Sequence, residues 1–181
     1  MARPEKIGQP LESIEALLHY LEEGSEKPAS YGGVRQSLAD QKRRGNYKGH
    51  KMTIHNGRAI AAQLSLEREG FILVNHETQM KNFYDEDEVR SVYYKETEEL
   101  VASARIYPDR VGETCHMTFN PDHVWYYFPN MQRNETIVFK TFESERDGRA
   151  RWTAHCAFDD PTSPPDAPPR ESIEMRTLAF F

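Results

Sequence analysis

Thr136-Ile137-Val138-Phe139-Lys140-Thr141-Phe142 and Trp152-Thr153-Ala154-His155-Cys156-Ala157-Phe158 flank the dipeptide Asp147-Gly148. β-Branched and aromatic side chains suit a pleated surface, and Asp-Gly accepts the left-handed backbone of a tight turn, so the spacing predicts strands joined by a hairpin. The same texture extends outward to Thr114–Phe119, Val124–Phe128 and Ile173–Phe181. Pro161 to Pro169 holds five of the eleven prolines, each without the amide that a central strand must donate, and is expected to be a stiff connecting loop.

The first half reads differently. Leu11, Ile14, Leu17, Leu18 and Leu21 recur at helical spacing with Gly24 beyond them, which predicts a short amphipathic helix over Leu11–Leu21. Glu26 to Gly49 lacks apolar periodicity and is expected to be an irregular connector. A helix over Ala59–Leu66 and a strand at Phe71–Val74 follow. Asp85 and Glu88 have capping-box spacing ahead of Val89, Val92, Tyr93, Leu100 and Val101, which predicts a helix over Glu86–Ala102. The expected class is therefore α+β, divided into a helical region with connector over 1–104 and an antiparallel β region over 105–181.

Composition narrows the function. The 181 residues carry 23 Lys and Arg against 29 Asp and Glu, a formal charge of −6, and 38% are hydrophobic. An acidic balance disfavours gripping nucleic acid, and the local run Lys42, Arg43, Arg44, Lys48, Lys51 reads as a solvated loop. No stretch approaches the ~18 uninterrupted apolar residues of a membrane helix, and no apolar leader is visible, so no membrane partner and a cytoplasmic location are expected. Cys115 and Cys156 show no metal-site spacing and are expected to be small buried hydrophobes. The modest core makes a homodimer a reasonable expectation.

Three features bear on chemistry. In an extended chain His155 shares a face with Thr153 and Ala157, among small neighbours. Arg170 and Ser172, two apart, also project to one side. A guanidinium fork with an adjacent hydroxyl suits a carboxylate, although the same triplet serves equally well as a solvated strand. His116 and His123 lie in aromatic surroundings, where packing is the better reading. The acidic run Asp85 to Glu88 suits a helix N-terminus as well as a cation.

The wording of several stretches resembles the CmcJ-like, AsaB-type hydroxylase/desaturase family. They are Ile106-Tyr107-Pro108-Asp109-Arg110-Val111-Gly112-Glu113-Thr114, Asn120-Pro121-Asp122-His123-Val124-Trp125-Tyr126-Tyr127, His155 through Pro161, and Pro168-Pro169-Arg170-Glu171-Ser172-Ile173-Glu174. Leu64 to Phe71 and Asn82-Phe83-Tyr84-Asp85-Glu86-Asp87-Glu88-Val89-Arg90 are similar to the family's N-terminal part. The resemblance implies a double-stranded β-helix, here a partial and jelly-roll-like one, using Fe(II) and 2-oxoglutarate on small secondary metabolites. It implies His155 as the distal iron ligand and a catalytic residue. It also implies Arg170 as a second catalytic residue and, with Ser172, as the clamp for the far carboxylate of 2-oxoglutarate.

One element of the family pattern is missing. His19, His50, His55, His76, His116, His123 and His155 are followed two positions on by Leu, Met, Gly, Thr, Thr, Trp and Ala, so the chain contains no His-x-Asp or His-x-Glu. In the family a long middle stretch carries that pair, whereas Glu99-Leu100-Val101-Ala102-Ser103 here resembles two family regions at once. Loss of two of three ligands implies that the family's iron and 2-oxoglutarate are not retained here. Oxidative tailoring by an incomplete site, metal-free isomerisation or cyclisation in the remnant pocket, and a non-catalytic role beside a full-length relative are the three readings that follow.

Overall fold

The computed structural model describes residues 11–25, 45–104 and 117–177. The first element is a strand, β1 (Ser13–Leu21), where a helix was expected. It pairs antiparallel with β2 (Tyr47–Asn56) from Ser13 opposite His55 to Leu21 opposite Tyr47. Ala16, Leu18 and Tyr20 are buried while Leu17 is 61% exposed, so burial follows a period of two. The leucine spacing fits a helix, but a nine-residue partner satisfies the backbone and buries Tyr20, which the helical face had left out.

β2 overlaps the expected connector from Tyr47 onward, while residues 26–44 lie outside the described part. Asn56 caps a 3-10 helix, Gly57–Gln63, by accepting from the Arg58 amide, and Ile60 and Leu64 are buried. This shorter, tighter helix occupies most of the expected Ala59–Leu66 segment. Strand β3 (Phe71–Asn75) forms as its apolar run predicts.

The expected long helix is also present, in three pieces: α1 (Glu86–Glu88), a π-helical stretch (Val89–Tyr93) and α2 (Tyr94–Ala104). Asp85 caps it, accepting from the amides of Asp87 and Glu88 at 3.0 and 3.1 Å. Glu88 does not close the reciprocal half of a capping box. Its carboxylate instead accepts from the Lys81 and Asn82 amides at 2.7 and 2.9 Å, fastening the preceding turn to the helix. The acidic run therefore has a structural role.

Of the later strands, β4 (Trp125–Tyr127) and β5 (Glu135–Phe139) form. β4 adds parallel to β2, giving a sheet of order β1-β2-β4, and β5 pairs antiparallel with β3. Both sheets thus draw strands from both sides of residue 104. Thr118 makes one isolated bridge to Leu21, while the rest of Thr114–Phe119 up to 116 lies outside the described residues.

Trp152–Phe158 is not a ladder strand, and Ile173–Phe181 forms none over its described part, to residue 177. The first is held instead by single bonds, the Thr153 amide to the Lys140 carbonyl at 2.8 Å and the Thr153 hydroxyl to the Glu69 carbonyl at 3.2 Å. Asp147-Gly148 does turn the chain, with Gly148 at φ 102°, but Arg149 rather than a facing strand engages Asp147.

The core lies on one face of the first sheet: Ala16, Leu18, Tyr20, Met52 and Ile54, covered by Ile14, Met117, Trp125, Tyr127 and Phe158. A second buried centre closes the end of β5. Lys140 donates to Glu143 at 2.8 Å and to the Ala150 carbonyl at 3.2 Å, with both charged side chains almost wholly out of solvent. Arg58 ties the 3-10 helix to the β4–β5 connection, donating in a fork to both Glu135 oxygens at 2.7 and 2.8 Å and to the Pro129 carbonyl. No helix among the described residues is long and apolar enough to cross a membrane.

Candidate functional site

His155 lies in the irregular segment after the Asp147-Gly148 turn. Its ring sits against Phe139 with centroids 4.4 Å apart, and the residue is exposed. Arg170 and Ser172 lie beyond the proline-rich loop, also exposed. That loop is stiffened locally: Asp160 accepts from the Thr162 amide and hydroxyl, and the Ala167 amide donates to the Pro164 carbonyl. Glu171, between Arg170 and Ser172, accepts a 2.9 Å hydrogen bond from the Tyr84 hydroxyl. Among the described residues, no hydrogen bond or ion pair joins His155, Arg170 and Ser172 to one another. Cys156 is exposed, contrary to expectation, because its segment lies outside any ladder and packs on one side only. Cys115 and His116 fall outside the described residues.

Ferrous iron in an oxygenase of this kind needs two imidazoles and a carboxylate on one face. Among the described residues no three His, Cys, Asp or Glu side chains are grouped to hold a metal. The ring neighbour of His155 is Phe139, which offers no ligand atom. The described residues therefore do not fit that ion.

A second concentration of functional groups forms around Tyr20, and of its members only His123 stands out in the sequence, by its aromatic context. Tyr20, only 3% exposed, accepts from the Trp125 indole at 2.6 Å. Its ring stacks on His123 with centroids 5.6 Å apart and meets His50 and Phe119 edge-on. Burial pushes the Tyr20 hydroxyl pKa up, against the opposing indole hydrogen bond. Burial also holds His123 below the usual imidazole range, although Asp122 acts the other way. His123 thus packs, as its aromatic context suggests. His50 and Phe119, stacked 3.9 Å apart, line an open cleft of about 420 Å³ with Leu21, Glu22, Glu23 and Lys48. The β1–β2 register sets His50 opposite Leu18, and the bridge between Leu21 and Thr118 brings Phe119 alongside.

Comparison with known proteins gives this arrangement a family. The family model described as Oxidoreductase/YMDC permease-like domain matches residues 18–105 and again 97–180. Aspirochlorine biosynthesis protein N of Aspergillus oryzae is 35% identical over 89 residues, covering 45% of this chain and 37% of that protein. The hydroxylase/desaturase efuI of Hormonema carpetanum is 41% identical over 73 residues, 40% of this chain and 24% of its own length. The hydroxylase/desaturase asaB of Aspergillus flavus is 41% identical over 64 residues, 35% of this chain and 28% of its own. Each match thus spans less than two-fifths of the relative.

Among solved structures, the iron and alpha-ketoglutarate-dependent endoperoxidase NvfI superposes with a TM-score of 0.66 at 14% identity, covering 86% of this chain and 93% of that one. At that identity the likeness shows the fold alone: the jelly-roll-like fold of an iron and 2-oxoglutarate dioxygenase, without the N-terminal helix expected at Leu11–Leu21. Since the two matched stretches together run from residue 18 to residue 180, the chain belongs to the Oxidoreductase/YMDC permease-like family, alongside the AsaB-type hydroxylase/desaturases.

Proposed function

We propose that this protein serves the oxidative tailoring of a small secondary metabolite, of hydroxylase or desaturase type, with an iron site that this chain alone does not complete. The observation carrying this reading is the form of the family match. Its two stretches share residues 97–105, which lie on α2 and at the position just after it, as they would if the end of one family region and the start of another met there. Glu99 to Ser103, which resembles both regions in sequence, lies inside the overlap. An internal omission produces such a match, and the omitted stretch is where the family carries its His-x-carboxylate pair.

What this chain keeps is recognition. Arg170 presents two parallel donors to a carboxylate and Ser172 adds a hydroxyl, while His155 supplies a ring nitrogen to a bound metabolite. When bound, iron with 2-oxoglutarate supplies oxidation of an unactivated carbon. The described residues do not fit that ion. The names of the relatives, hydroxylase/desaturases and an aspirochlorine biosynthesis protein, support a metabolite as the substrate class.

The test is metal content and 2-oxoglutarate consumption, measured on the purified chain and on a version carrying the asaB relative's middle stretch inserted after Ala104. The chain alone is expected to hold well under one iron per molecule, and the insertion to restore one iron and consumption of 2-oxoglutarate. Stoichiometric iron in the unmodified chain would overturn the incomplete-site reading. Turnover of a metabolite that persists under chelation and without oxygen would replace it with metal-free rearrangement.

A further inference from the structure

The stretch from Pro168 to Thr177 carries the carboxylate-binding pair, yet it belongs to no strand or helix. Within it Arg176 pairs loosely with Glu174 at 3.6 Å. Among the described residues, the only hydrogen bond joining this stretch to the rest of the protein is the one from the Tyr84 hydroxyl to Glu171, at 2.9 Å. Glu171 stands directly between Arg170 and Ser172, so whatever fixes its carboxylate restricts the backbone of both within one residue.

The other end of the bond is well anchored. The Tyr84 amide donates to the Asn82 side chain at 3.0 Å, and the Asp85 amide donates to the Asn82 carbonyl at 3.1 Å. Glu88 grips the Lys81 and Asn82 amides from the first turn of α1, and Asp85 caps that turn. Tyr84 is itself 83% exposed, so its ring contributes little packing and its hydroxyl is its main contact. The bond also spans the two family stretches, since Tyr84 lies in 18–105 and Glu171 in 97–180.

We propose that Tyr84 is a positioning residue: through Glu171 it holds the Arg170–Ser172 segment in place to receive a carboxylate ligand. The functional half of this inference rests on reading Arg170 and Ser172 as the carboxylate clamp, whereas the tether itself does not. The Tyr84 pKa is pushed up by its hydrogen bond to Glu171, as expected for a hydroxyl that donates to a carboxylate.

Two measurements on the full chain separate the parts. Tyr84→Phe keeps the ring and removes only the donor. It is expected to raise tryptic cleavage after Arg170 and Arg176 about three- to tenfold, the range for losing one ordinary hydrogen bond, with solvent exposure offsetting the charge of the acceptor. Glu171→Ala should do the same at Arg176, where the substitution does not adjoin the cut bond, the double variant should add nothing further, and Glu171→Gln, which keeps an acceptor oxygen, should stay near the parent. Unchanged cleavage in Tyr84→Phe would overturn the tether, whatever the ligand results.

Calorimetric binding of 2-oxoglutarate without metal reports the clamp. Arg170→Ala should abolish it, Tyr84→Phe should weaken it by the same factor as the cleavage change, and Glu171→Gln should leave it close to the parent. If Arg170→Ala has no effect, or the parent does not bind, the clamp reading fails and with it the positioning role, while cleavage still decides whether the tether exists. If Arg170→Ala abolishes binding and Tyr84→Phe leaves it intact, the positioning role fails alone.

Discussion

Replacing Lys140 by Met removes a charge of similar side-chain length from the most enclosed polar centre of the fold. The Lys140 side chain is fully out of solvent and Glu143 is 1% exposed, with 2.8 Å between ammonium nitrogen and carboxylate oxygen. The substitution leaves Glu143 with the Glu145 amide at 3.2 Å and the more distant charge of Arg149, weak substitutes for an ammonium. It also strips a donor from the Ala150 carbonyl. Breaking a buried pair in this way costs about 3–5 kcal/mol, because one charge stays desolvated without compensation. Lys140→Met with Glu143→Leu removes both charges and should recover most of the loss, since an apolar pair of similar volume avoids the desolvation cost.

Urea denaturation of the parent, single and double variants tests this. The single variant should show a lower midpoint with an unchanged slope, and the double variant should return toward the parent. A pH series adds an independent sign. Burial alone would raise the Glu143 pKa, but the hydrogen bonds from Lys140 and the Glu145 amide outweigh it, and the net direction is downward. Its proton is therefore bound less readily in the folded state than in the unfolded one. The stability it contributes is present above the unfolded carboxyl value of about 4.3 and is lost as pH falls through the lower folded value. A single variant within about 1 kcal/mol of the parent, or a double variant worse than the single, would refute the reasoning.

Two further outcomes follow from the connections around the 3-10 helix. The Arg58 fork, with the Gln132 amide, lowers the Glu135 pKa to about 2, so Glu135→Gln should flatten the fall in stability between about pH 5 and pH 2, read as unfolding midpoints across that range. A methyl group at Gly57 would lie 2.7 Å from the Phe128 ring, so Gly57→Ala should cost about 1–3 kcal/mol and Phe128→Leu in the same chain should relieve part of it, measured by urea midpoint.

Much of this molecule follows from local chemistry. The Phe71–Asn75 strand, the Asp85 cap with the helix behind it, the turn at Gly148 and the stiff proline loop are decided within a few residues by propensity, capping and φ preference, and each is where the sequence places it. Family membership is legible too, because it resides in contiguous wording around Tyr107-Pro108-Asp109-Arg110, His155 and Arg170-Glu171-Ser172. The absent His-x-carboxylate pair can be read off seven histidines.

Tertiary structure decided the rest. Ser13–Leu21 became a strand because Tyr47–Asn56 offered it a full ladder, and apolar spacing compatible with one helical face was overridden by long-range pairing. The Tyr20 cluster, the Arg58–Glu135 fork, the buried Lys140–Glu143 pair and the Tyr84–Glu171 bond join residues whose relation is set by register and packing. An isolated strand pattern holds no information about which distant side chain will stand opposite it, so these contacts exist only once the sheets have assembled.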